Sequence, residues 1–362
     1  MRAVIAVIAV LCLGLGVAAQ AEEKQLNIYS WSAYLPEQAL QRFKDETGIA
    51  VKYDIFDSSE ALESKLLTGA SGYDVVFPSS GGLARAIKAK ALQPVQREQL
   101  PHFANLDAEL LGKLASADPG NQYGVPYTWG TVGLGINKQA LAKRIPNAPL
   151  NSLDLLFKPE YASRLKDCGI AMLDSPQEVI SVALNYLGFK PYSTTASELA
   201  QVQALLVQLQ PNIRYVATGR HINDLAKGEV CLALTYNGDA AMAAARAQES
   251  QQAFEVIYRI PREGTLLWFD TLAIPVDAPH PQAAHAFIDY MLRPEAIAEL
   301  TNSVFFANAN REATALVDAA VSGDPDIYPD QALRERLFTE ELLPLRSQRE
   351  RTRLWTTFRT HY

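Results

Sequence analysis

The feature that most constrains this chain is a strand–helix alternation near its start. Leu26-Asn27-Ile28-Tyr29-Ser30-Trp31 is an apolar and aromatic run of strand length, and Pro36 then opens a helix whose apolar positions Ala39, Leu40 and Phe43 recur at helical spacing before Gly48 stops it. Ala50 to Phe56 alternates as a strand, Leu62, Leu66 and Leu67 mark one face of a second helix ending near Gly69, and Tyr73 to Phe77 is a third strand closed by Pro78-Ser79-Ser80. That order is the grammar of a mostly parallel α/β sheet flanked by helices. Ligands of such sheets sit beyond the carboxyl ends of the strands, which here are the loops from Ser30 to Pro36 and from Pro78 to Gly82.

At 362 residues the chain exceeds what one hydrophobic core usually supports, so two domains are expected. The stretch Gly124 to Asn137 is extended chain studded with glycine and suits a crossing between them. Further helices are expected around Gln177 to Leu187, Ser197 to Gln208, Ala240 to Gln248, His285 to Leu292 and Pro294 to Thr301, with extended chain from Ile257 to Ile274. The tail carries Arg346, Arg349, Arg351, Arg353 and Arg359 among Leu354, Trp355 and Phe358, which reads as a packed helix with a solvated basic face.

Met1-Arg2 precedes an apolar run from Ala3 to Ala19, and Ala19-Gln20-Ala21 offers small residues at the positions a signal peptidase reads. Residues 1–21 are therefore expected to be a cleaved export signal, the alternative being an uncleaved anchor. Cleavage would remove Cys12 and leave 341 residues with a net charge of −8, since Arg2 is the one charged group lost. Cys168 and Cys231 remain as an even pair in an oxidising compartment, either bridged or as two free buried thiols.

A net charge of −7 on the whole chain argues against nucleic acid as a partner and suits cations. His102, His221, His280, His285 and His361 are scattered without metal-ligand spacing, so no metal is expected. No cofactor is expected either: the GxG within the glycine-rich stretch has no strand–GxGxxG–helix setting. There is no GxSxG elbow, no Walker lysine loop and no Cys-His signature. The expectation is a binding protein and not an enzyme, with a carboxylate-pair hydrolase as the remaining enzymatic alternative. What recurs at the expected sheet edges is aromatic rings beside hydroxyls and acids: Trp31-Ser32-Ala33-Tyr34, Ser79-Ser80, Tyr236-Asn237-Gly238-Asp239 and Trp268-Phe269-Asp270. Together they suggest a cage for an alkyl ammonium, whose methylenes lie on ring faces and whose charged ends meet carboxylates.

These residues also carry a resemblance. Ile28-Tyr29-Ser30-Trp31-Ser32, Phe43-Lys44-Asp45-Glu46-Thr47-Gly48, Tyr53-Asp54-Ile55-Phe56-Asp57-Ser58, Leu184-Asn185-Tyr186-Leu187-Gly188, Pro211-Asn212-Ile213-Arg214-Tyr215, Ile222-Asn223-Asp224-Leu225 and Phe306-Ala307-Asn308-Ala309-Asn310 stand in collinear order. In them, from about Leu26 to the C-terminus, the chain resembles the periplasmic polyamine-binding proteins of ABC importers, within the extracellular solute-binding protein family, and especially the putrescine-binding branch. The resemblance implies a two-lobe periplasmic-binding fold of the second type, each lobe a mixed, mostly parallel sheet with flanking helices, closing on a ligand in the cleft. The expected division is 22–128 and 256–315 for one lobe, 129–255 and 316–362 for the other.

It further implies a ligand held by Trp31, Ser32, Tyr34, Ser79, Glu178, Asp239 and Asp270, with Tyr236 and Trp268 as aromatic walls and Phe306 where the family has a pocket tyrosine. A disulfide between Cys168 and Cys231, ABC permease subunits as partners, a periplasmic location and a monomeric state follow from the same likeness. Several positions depart from the pattern: besides Phe306, Tyr236 stands where the family has a Trp. Ala33 replaces an Asp of the family, Glu340 stands where the putrescine branch is aliphatic, and Arg220 lies in a loop that borders the family's cleft. Glu340 and Arg220 are read either as solvated surface charges or as a site retuned for a different amine: agmatine, a 4-aminobutyrate-like molecule or a polyamine conjugate carrying a carboxylate. A ligand-loaded partner for a receptor ectodomain is the alternative to transport.

Overall fold

The computed structural model describes residues 24–31, 34–56 and 58–360. The proposed export signal, together with Ser32 and Ala33 of the candidate site, lies outside these residues. The first lobe is built as the opening alternation requires. Strands Gln25–Trp31, Ala50–Phe56 and Val75–Val76 form a parallel sheet with the first strand in the middle. The helix Glu37–Thr47 buries Ala39 and Phe43 and ends at Gly48, whose φ of 68° is open to glycine at little cost. Phe43 meets Phe287 and Tyr290 of the helix Pro281–Met291 edge-on at 5.3 Å, so a segment some 240 residues later completes this core. In the helix Ser59–Leu67, Leu62 and Leu66 are buried but Leu67 is 64% exposed, a correction to its placement on the core face.

The glycine-rich stretch is one strand, Val125–Asn137, in which every residue is buried. Its pairing changes along its length. Residues from Val125 to Thr131 pair with the strand Leu266–Leu272 and with Ala307–Asn308, whereas Val132 to Asn137 pair with Leu232–Tyr236 and Val256–Arg259. The sheet of eight strands built on this crossing continues through Ile170–Met172 to Ile213–Val216 in the second lobe. It also reaches back to the first lobe, where Val76 bridges Ala273 and Ser79 bridges Asp270. Gly130 lets the Trp268 side chain lie against the crossing strand, because a Cβ there would lie 2.4 Å from the Trp268 ring.

The helices Pro176–Tyr186 and Ala196–Leu209 cover the second lobe, and the C-terminal helix Leu345–Arg359 lies on both. Leu354, Trp355 and Phe358 are buried in it as expected, but Arg351 is not part of a solvated face. It is fully buried, donating to Ser181 Oγ at 2.8 Å and to the carbonyls of Pro191 and Ser193. Its charge is stabilised by oxygens that sequence periodicity does not reveal. Cys168 and Cys231 are joined by a disulfide with Cα atoms 5.6 Å apart. Closing a loop of this length stabilises the fold by about 4 kcal/mol in the chain-entropy model. Among the described residues, no helix is long and apolar enough to cross a membrane.

Candidate ligand site between the lobes

The aromatic–acid loops separated in sequence converge where the two sheets meet. Trp31 ends the first strand, its ring 4.4 Å from Phe56. Tyr34 follows and lies 5.7 Å from Phe306. Phe306 meets Trp268 edge-on at 4.9 Å, and Trp268 meets Tyr236 edge-on at 5.9 Å. Four of the expected rings thus form one continuous wall, contributed by both lobes. Gly238 lets the wall close: a Cβ at that position would fall 2.2 Å from the Phe306 ring.

Three expected acids face this wall. Asp270 sits two residues beyond Trp268 at a register shift in its strand, with Ser79 of the first lobe as its backbone bridge partner. Such an irregularity re-aims side chains where a strand approaches a site. Asp239 is in the first turn of the helix Asn237–Glu249, and Glu178 in the first turn of Pro176–Tyr186, where the helix N-termini favour negative charge. Glu178 accepts a 2.6 Å hydrogen bond from the Tyr236 hydroxyl. Ser79 occupies the N-cap position of the helix Ser80–Lys88 without a capping hydrogen bond from its side chain.

The acids stand in a graded series of electrostatic neighbours. The Tyr34 phenol is pushed up by burial and then by Asp270 and Asp239. Burial, and next the charge of Glu178, raises Asp270 to about 8, although the nearby Trp31 N–H opposes the shift. Burial raises Glu178 to about 7, opposed by the Tyr236 hydroxyl and reinforced by Glu340. Trp31 Nε1, Trp268 Nε1 and Asn237 Nδ2 are buried donors without a full hydrogen bond in the protein. A carboxylate held protonated at neutral pH, beside aromatic faces and unsatisfied donors, is a group that gains much from an arriving cation.

The two retuned positions part company. Glu340, read beforehand as either a surface or a cleft charge, has a side chain only 18% exposed. It is hydrogen-bonded to the Gly81 N–H and lies 3.8 Å from Arg85, whose guanidinium is already engaged by Glu63. Arg220 has a 62% exposed side chain, donates to Asp224 at 3.0 Å and stacks over the Tyr215 ring at 4.1 Å. It does not join the aromatic wall.

Two contributors were missed by sequence reasoning. His221 is buried behind Asp239, and Arg85 reaches the cleft from the first lobe. Neither leaves a motif, because their partners lie 14 residues or more away; only the Asn-Gly-Asp turn hinted at Gly238. A basic surface hollow lined by Arg144, Ser163, Arg164, Lys166, Asp167 and Arg214 lies beside the disulfide, and its sign is wrong for an amine.

Comparison with known proteins agrees with this geometry. Residues 38–329 match the model of the bacterial extracellular solute-binding proteins. The chain is 43% identical over 346 residues to the putrescine-binding periplasmic protein SpuD of Pseudomonas aeruginosa, covering 95% of this chain and 94% of that one. It is 44% identical over 338 residues to the putrescine-binding periplasmic protein PotF of Escherichia coli, covering 93% and 91%. The crystal structure of the spermidine/putrescine ABC transporter substrate-binding protein PotD from Streptococcus pneumoniae superimposes with a TM-score of 0.82 at 28% identity, covering 93% of this chain and 99% of that one. An α/β fold of two lobes on a shared crossing strand, matched over four-fifths of its length, makes this chain a member of the bacterial extracellular solute-binding proteins.

Proposed function

We propose that this protein captures an alkyl di- or polyamine, putrescine or a close relative, in the cleft and hands it to the permease of an ABC importer. The observation that carries this reading is the pair of buried acids, Asp239 and Asp270, beside the ring wall of Tyr34, Tyr236, Trp268 and Phe306. Desolvated carboxylates pair the ammonium groups, and the rings take the methylenes and add cation–π attraction. Trp31, Ser32, Ser79 and Glu178 complete the set, with Ala33 as a further candidate. The ligand is bound and released unchanged, so the protein is not an enzyme. Its action as a monomer in the periplasm follows export and removal of residues 1–21. The lobes correspond to 22–128 with 256–315 and to 129–255 with 316–362, and the change of strand partners between Thr131 and Val132 supports a boundary near the first of these limits.

A ligand bearing a carboxylate is disfavoured, because Arg220, the cation that reading needs, is turned to Asp224 and Tyr215. The test is calorimetry and thermal shift against putrescine, cadaverine, spermidine, agmatine and 4-aminobutyrate. A diamine at one hundred times its dissociation constant should stabilise the protein by about 2.7 kcal/mol. No shift with any amine at millimolar concentration overturns the reading, and a shift with 4-aminobutyrate alone replaces it.

A further inference from the structure

Behind Asp239 lies a buried polar chain that a ligand in the cleft would not touch. His221, the second residue of the helix Arg220–Lys227, is 1% exposed. Its Nε2 is 3.1 Å from Asp239 Oδ2 and 2.6 Å from Thr235 Oγ1, and its Nδ1 is buried with no partner. Two neutral tautomers are possible, and the surroundings choose between them. A proton on Nδ1 would leave a buried N–H unpaired and set the bare Nε2 against a carboxylate oxygen. A proton on Nε2 is donated to Asp239, while the Thr235 hydroxyl turns to the Tyr236 carbonyl at 3.3 Å.

We propose that His221 is a positioning residue for the ligand: a neutral imidazole that fixes Asp239 through Oδ2 and presents the carboxylate to an ammonium group of the amine. The choice of a neutral donor matters. Lysine or arginine in this place would hold Asp239 equally well but cancel the charge that the ligand needs, whereas imidazole leaves it intact. Arg220, the adjacent cation, is occupied by Asp224 and Tyr215 and does not compensate Asp239. Holding the carboxylate in place before the ligand arrives lowers the ordering cost of binding. This inference rests on the amine reading above.

The experiment is a double-mutant cycle read by calorimetry with putrescine, using wild type, His221→Phe, His221→Gln, Asp239→Asn and the pair His221→Phe with Asp239→Asn. Removing a hydrogen bond to a charged group should weaken binding about tenfold or more in His221→Phe, and the amide of His221→Gln should restore most of it. In the Asp239→Asn background the same His221→Phe change should alter affinity less than about twofold, because its one route to the ligand is gone. Equal losses in both backgrounds, or unchanged affinity in His221→Phe, overturn the proposal. If wild type binds no amine, the amine reading itself fails; if Asp239→Asn loses affinity and His221→Phe does not, only the positioning role fails. Nitrogen NMR of the ligand-free wild-type protein gives a reading independent of whether the variants fold: the Nε2–H tautomer is expected, and Nδ1–H refutes the assignment.

Discussion

The acids of the cleft fall into two pairs built on opposite plans. Asp239 and Asp270 are buried beside the rings and approached by the His221 imidazole and the Trp31 N–H. Glu178 and Glu340 carry donors of their own: the Tyr236 hydroxyl for Glu178, and the Gly81 N–H with the Arg85 guanidinium for Glu340. The first pair has no lysine or arginine partner among the described residues, and the second is already partly satisfied within the protein. The difference teaches that counting cleft carboxylates overstates the charge a ligand meets; what counts is how many lack a cation of the protein.

The sharpest way to break this comparison is to remove one acid from each pair. Asp270→Asn should cost about 2 to 5 kcal/mol of putrescine binding, the range for truncating a desolvated charge pair. Glu178→Gln should cost less, because the Tyr236 hydroxyl already satisfies part of that carboxylate. Calorimetry that ranks Glu178→Gln above Asp270→Asn reverses the assignment of the two pairs.

Shape tests the ring-lined pair without touching charge. A Cβ at Gly238 collides with Phe306, so Gly238→Ala must displace that ring from Tyr34 and Trp268. Overpacking of this kind costs about 1 to 3 kcal/mol of stability. The expected result is a lower melting temperature together with weaker diamine binding, and Phe306→Leu in the same chain should recover part of both. Weaker binding without loss of stability would mean that the ring wall is not a packed unit.

How much of this was legible beforehand depends on the range of the forces involved. The strand Gln25–Trp31 and the helix Glu37–Thr47 follow from local apolar spacing and a glycine stop, so their sequence announces them. The loops Tyr236-Asn237-Gly238-Asp239 and Trp268-Phe269-Asp270 were visible too, because each keeps its ring and its carboxylate within four residues. Burial of Glu340 was not legible: its neighbours Thr339 and Glu341 are polar, and Gly81 and Arg85, more than 250 residues earlier, enclose it. Arg351 was misjudged for the same reason, since Ser181, Pro191 and Ser193 receive its donors from another part of the second lobe. His221 looked like one of five scattered histidines until the fold set it beside Asp239.

Protonation offers a third test. Asp270 at about 8 and Glu178 at about 7 lie above their unfolded values, so the folded, ligand-free protein binds more protons than the unfolded chain between roughly pH 4 and 8. Its stability should therefore fall as pH rises through that window, and Asp270→Asn should flatten the decline. An ammonium ligand requires the charged carboxylates, so binding at pH 6.5 should release on the order of one proton, seen as a calorimetric enthalpy that varies with the buffer's ionisation enthalpy. The dependence should fade by about pH 9, above both shifted values. A buffer-independent enthalpy at pH 6.5 would mean that these acids are already ionised before the ligand arrives.

The smallest effect is expected at Glu340, and its smallness is the informative part. The carboxylate sits on the Gly81 N–H within reach of Arg85, but Arg85 is held more closely by Glu63, and burial pushes Glu340 up in spite of these partners. Replacing a buried, imperfectly paired acid by an apolar residue of similar size is often neutral or stabilising, so Glu340→Leu should leave the melting temperature unchanged or raised. Because Glu340 also raises Glu178, its removal should lower that neighbour and make it charged at a lower pH, which strengthens diamine binding slightly near pH 6 and leaves it unchanged near pH 9. If Glu340→Leu instead weakens binding at both pH values to the extent that Asp270→Asn does, Glu340 contributes a free charge after all, and the two pairs are equivalent partners of the ligand.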